Sequence, residues 1–165
     1  MGSEMCIRDR YFIAPLMGYY FLYSKETIDK MHKDLSMYRA KAALAYYVGS
    51  SLSYVEISYL YAKISYSMSV SGNFNYSKKL INESKVYIEK LVENVDFLKK
   101  LVKRMNIKEL DSFIKTYSEK ITTYIEKYEE LIECIENKDL DKGKRILSEL
   151  TLIRDSISAI SIRIT

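Results

Sequence analysis

The chain is 165 residues long, 48% apolar and 29% charged, with a formal net charge of +4. That size favours one domain with a real core, and so slight a basic excess is weak ground for expecting an anionic partner. Trp and Gln are absent while Tyr numbers 16, and Lys and Glu abound, a composition that is thermophile-like.

The first ten residues, MGSEMCIRDR, have mixed charge and no apolar period. All ten resemble the translation of a transposase adapter used to prepare shotgun sequencing libraries. The resemblance covers residues 1–10 only and implies a non-native scar on a metagenomic fragment, to be set aside before fold reasoning. Glu4 and Asp9 cancel Arg8 and Arg10, so the net charge belongs to the rest of the chain. With Cys6 discarded, Cys134 is the one remaining thiol, which excludes an intrachain disulfide and a metal site built on paired cysteines. Its place in ELIECIENK, beside Leu131 and Ile135, marks it as a small buried hydrophobe.

Residues 11–23, YFIAPLMGYYFLY, form an apolar segment that is truncated if the scar is real. At 13 residues it is too short to span a bilayer by itself. The primary expectation is a short core segment in which Pro15 and Gly18 interrupt any helix. The alternative is the tail of a membrane anchor.

From residue 24 to 165 we expect a single helical domain. A first helix over about 25–70, capped by Ser24, places Ile28, Met31, Leu35, Tyr38, Ala42, Ala45, Val48, Leu52, Val55, Tyr59, Ala62 and Tyr66 in its core stripe. Gly49-Ser50-Ser51 is the expected break or kink, because Gly and Ser lower helix propensity. Residues 42–72 carry only Glu56 and Lys63 as charges. The segment is long enough to cross a membrane, but many Ser and Tyr dilute it and the two charges would be costly at depth. Ala45, Gly49 and Ser53 make a small-residue ridge at steps of four, a candidate helix-packing interface. Glu56 and Lys63 are expected to meet partners on other helices.

Ser71-Gly72-Asn73 breaks the chain, and Asn75 or Ser77 can start a second helix over about 76–105. There Ile81, Ile88, Val95 and Val102 repeat at one heptad position and Ser84, Leu91, Leu98 and Met105 at the other, the preference of a left-handed helical seam. Its end concentrates Lys99, Lys100, Lys103, Arg104 and Lys108. The cluster is a candidate anion-binding site, although cations there also complement the helix dipole and acids nearby point to a solvated charged face. Aromatic interleaving that would stack bases is missing from it, so nucleic acid is not an expected partner.

Asn106 and Glu109 can form a capping box for a third helix over about 107–137. Its stripe runs Leu110, Ile114, Tyr117, Ile121, Tyr124, Tyr128, Leu131, Ile135, and the three tyrosines are read as core. After Asn137, Asp139 or Asp141 can cap a fourth helix over about 141–164, with Ile146, Leu150, Ile153, Ile157, Ile160 and Ile164 inward. The short connections force antiparallel neighbours.

The expectation is therefore an all-α, antiparallel, up-and-down four-helix bundle with a long first helix. Enzymatic chemistry is not expected. His32 is the only histidine, KMHKDL offers no Glu-x-x-His pair, and phosphate loops and nucleophile elbows are absent. No catalytic residue, metal ligand or cofactor is assigned. The expected role is a noncatalytic, cytoplasmic scaffold or protein-interaction module that forms a homo-oligomer through its first helix. One alternative is a membrane-anchored sensor, which in architecture alone resembles the four-helix sensor domains of chemoreceptors. The other is binding of nucleic acid or anionic lipid through the Lys99 to Lys108 cluster.

Overall fold

A computed structural model describes the backbone of residues 4–105 and 108–161, and side chains within 24–105 and 110–160. Four helices follow in order: α1 (Glu4–Val70), α2 (Phe74–Met105), α3 (Lys108–Glu136) and α4 (Leu140–Ser161). No strand occurs among the described residues. The architecture is the expected all-α four-helix bundle. The chain divides into two units, residues 1–41 and residues 42–165.

Residues 1–41 contain one helical segment, the first part of α1. Helix starts at Glu4, which corrects the expectation that Pro15 and Gly18 interrupt it and that Ser24 caps it. Their penalties are local, and helix propagation is cooperative. Ile28, Met31, Leu35 and Tyr38 are 50–78% exposed rather than core. A lone helical segment cannot bury its own apolar stripe. The expectations for residues 1–10, an adapter scar, and for the apolar segment 11–23 fall on side chains outside the described set.

Residues 42–165 form the bundle. Heptad reading succeeds in its later helices. Ile81, Val95, Val102, Ser84, Leu91 and Leu98 of α2 are buried, as are seven of the eight stripe residues of α3, from Ile114 to Ile135. Ile146, Leu150 and Ile157 of α4 are buried too; Ile164 lies outside the described residues. Each fully buried aliphatic side chain contributes about 1.5–3 kcal/mol.

In α1 the stripe is different. Val48, Val55, Tyr59 and Ala62 are buried as expected, but Ala42 and Ala45 are exposed, and Leu44, Ser51, Ser58, Ser65 and Ser69 take core places. The helix also continues through Gly49-Ser50-Ser51, which corrects the expected break. Ser50 and Ser51 donate to the Tyr47 carbonyl at 3.2 and 2.7 Å, and Ser53 donates to the Gly49 carbonyl at 3.1 Å. With these hydroxyls satisfied, packing of Leu44, Val48 and Val55 outweighs a propensity loss of about 1 kcal/mol at Gly49.

Two turns share one geometry. After α1, the Gly72 amide donates to the Ser69 carbonyl and the Asn73 amide to Met68. After α3, the Lys138 amide donates to Ile135 and the Asp139 amide to Cys134. Both are Schellman motifs, with Gly72 (φ 82°) and Lys138 (φ 61°) in the left-handed position. Asp139, one of the two expected caps, accepts from the Lys142 amide at 3.1 Å. Asn73, rather than Asn75 or Ser77, caps α2, with Oδ1 3.4 Å from the Tyr76 amide. The expected capping box of Asn106 and Glu109 falls outside the described side chains.

Candidate interaction surface

The inner side of α1 is built for close approach. Tyr117 and Tyr124 of α3 are fully buried and donate to the backbone carbonyls of Val48 and Val55 at 3.3 and 3.1 Å. The same sequence offset of 69 in both pairs shows that α1 and α3 run parallel. The Tyr124 hydroxyl also lies 2.9 Å from Ser58 Oγ. A phenol tip can reach a helix carbonyl only where the neighbouring side chain is small, and Ser58 supplies that gap. A carbonyl has a second lone pair, so it accepts the phenol without giving up its helical bond. On α2, Ser84 bonds the Tyr128 hydroxyl, while Ser69 and Ser77 join α1 to α2 at 2.9 Å.

Burial sets the chemistry of these phenols. It pushes Tyr124 far above the ordinary tyrosine range, against the lowering effect of its bond to Ser58. Tyr128 is pushed up to about 12, again by burial, partly offset by the Ser84 bond. They are hydrogen-bonding anchors kept neutral, not proton donors near physiological pH. Cys134 is buried, and burial raises its pKa first, with Lys142 opposing. It packs as an apolar group.

Ion pairs tie α4 to the bundle. Arg154 lies 3.7 Å from Glu56 of α1 and 4.3 Å over the Tyr59 ring, so Glu56 does meet another helix. Lys127 of α3 reaches Glu149 of α4 at 3.2 Å. Tyr59 bonds Thr151 at 2.8 Å, and Tyr66 donates to the Leu140 carbonyl at 3.0 Å. Lys63 is exposed.

The outer side of α1 in the bundle is open. Ala45, Gly49 and Ser53, the expected ridge, are all exposed, and a Cβ at Gly49 would meet nothing within 4 Å. The ridge therefore packs no neighbour within the bundle. Along the same side Tyr46 is 68% exposed, Leu60 53% and Ile64 45%. Sequence reading named the ridge but missed these larger residues, because it assigned the surrounding apolar positions to one core stripe.

The basic cluster is less uniform than its sequence suggests. Lys99, Lys100, Lys103 and Arg104 are exposed at the end of α2, while the side chain of Lys108 lies outside the described set. Lys99 borders a cleft of about 550 Å³ against α3 that also holds Asp111, Lys115, Glu119 and Glu126. An anion there would face three carboxylates. Among the described residues, no group of three or more His, Cys, Asp or Glu could hold a metal ion, and no helix is long and apolar enough to cross a membrane.

No known protein family, curated protein or solved structure matches the chain.

Proposed function

We propose that this protein is a noncatalytic helical scaffold that self-associates through the outer side of α1. One observation carries the reading. Within the bundle α1 presents Tyr46, Gly49, Ser53, Leu60 and Ile64 outward, while its opposite side is already filled by core contacts. A helix apolar on both sides is one that expects cover on both. Small residues at steps of four allow a second helix to approach closely, and the absence of charge among these five residues leaves little to oppose it.

Static and dynamic light scattering over a concentration series test this. Self-association predicts a mass that rises above 19.4 kDa with concentration, and a shift in that rise when Gly49→Leu fills the ridge. A mass that stays monomeric up to about 100 μM, where even weak specific pairs form, rejects the reading.

A further inference from the structure

The groove between α1 and α2 is lined by aromatic rings. Tyr47 stacks on Phe97 with centroids 4.0 Å apart, and Tyr46 meets Tyr47 edge-on at 5.2 Å. Further along, Tyr87 of α2 lies between Tyr54 at 6.3 Å and Tyr61 at 5.8 Å. All six rings are exposed or half-buried. The α1 side of the groove, through Tyr46, Tyr47, Ser50, Tyr54, Ile57 and Tyr61, has no charge at all. On the α2 side the charges are placed in opposition. Glu83, which lies 3.9 Å from Lys79 one turn further back, sits one turn before Tyr87, and Lys90, whose ammonium lies 5.8 Å from the centre of the Tyr54 ring, one turn after it.

We infer that this aromatic groove is the contact by which the chain pairs with a second copy of itself, about a twofold axis passing near Tyr87. The inference rests on the self-association reading above and assigns it a surface and a register. Two features select a second copy. Rigid, amphipathic tyrosines are the residues that interfaces favour. In a twofold contact each residue meets what its counterpart meets, so an acid and a base spaced equally about the axis are self-complementary. Crossing α2 on α2 of the partner subunit at Tyr87 sets Lys90 against Glu83 of the partner subunit, twice. A single-stranded nucleic acid, which also favours aromatic tracks, would want unpaired cations along the groove, whereas Glu83 here holds Lys79 in an ion pair.

Charge reversal tests the register. Sedimentation equilibrium is run on the full chain and on Glu83→Lys, Lys90→Glu and the double swap, with circular dichroism to confirm that each variant stays helical. Both positions are exposed, so the fold is expected to survive. Each single change sets like charges opposite each other at two places and should weaken pairing at least about tenfold, and the double swap should return it to within about threefold. A wild-type chain that associates while Glu83→Lys, Lys90→Glu and a third variant, Tyr87→Glu, leave its affinity unchanged overturns this surface but not self-association. Single changes that weaken pairing without recovery in the swap overturn the twofold register. A wild-type chain that remains monomeric overturns both the surface and the reading beneath it.

Discussion

The two sides of α1 solve opposite problems with nearly the same residues. On the inner side Ser58 bonds the Tyr124 hydroxyl of α3, and Ser51, Ser58 and Ser65 recur every seven residues among Val48, Val55 and Ala62. On the outer side Ser53 bonds only its own helix, and Gly49 faces open space. Small polar residues therefore do not by themselves distinguish core from surface. What separates the two sides is the element opposite, large tyrosines of α3 on one and nothing within the bundle on the other.

The contrast is tested first where the expected effect is largest. Tyr124→Ala removes a fully buried ring and should cost about 3–5 kcal/mol, against less than about 0.5 kcal/mol for Tyr46→Ala in dilute protein. Urea unfolding of both variants measures the gap, and equal losses would erase the distinction between the two sides.

Alkaline titration probes the same phenols. Tyr128 is shifted from 10.0 to about 12, and Tyr124 is raised further. Because both folded values lie above the unfolded value, stability is intact below pH 10. Above it the unfolded chain releases protons that the folded chain holds. Each phenol then removes about 1.4 kcal/mol per pH unit until its folded pKa is reached. Stability measured between pH 9 and pH 12 should fall steeply. A flat profile would mean that these hydroxyls are not buried.

Removing only a hydroxyl is gentler. Tyr124→Phe leaves Ser58 and the Val55 carbonyl without one partner each and should cost about 1–2 kcal/mol. Gly72→Ala, at φ 82°, should lose about 1–2 kcal/mol through left-handed strain. Gly49→Ala should do the reverse and gain about 0.5–1 kcal/mol, since the site is helical and open. Thermal melts of both glycine variants at low concentration decide the signs, and a destabilising Gly49→Ala would show that something covers that side.

How much of this was legible in the sequence differs from helix to helix. Ile81 to Met105, Leu110 to Ile135 and Ile146 to Ile160 follow heptads that the structure uses with little change, because α2, α3 and α4 each bury one side and expose the other. The α1 stripe was legible only in part, at Val48, Val55, Tyr59 and Ala62, because four other core positions are Ser51, Ser58, Ser65 and Ser69, which an apolar count passes over. Ser84 at a heptad core position was the available clue, since it shows the same substitution of a hydroxyl for a hydrocarbon. Gly49-Ser50-Ser51 signalled a break by propensity alone, and tertiary packing overrode it. The ridge at Ala45, Gly49 and Ser53 reads as a close-packing pattern in the sequence, and within the bundle it packs no neighbour. The aromatic groove was invisible because its rings come from two helices, and only the pairing of α1 with α2 sets Tyr47 on Phe97 and Tyr87 between Tyr54 and Tyr61.

On the proposed self-association, another copy of the chain covers the open side of α1. Sedimentation velocity of the wild-type chain from about 1 to 100 μM tests it most directly. Self-association gives a concentration-dependent shift from a 19.4 kDa species to one of twice that mass. A single 19.4 kDa boundary across the whole range would contradict it.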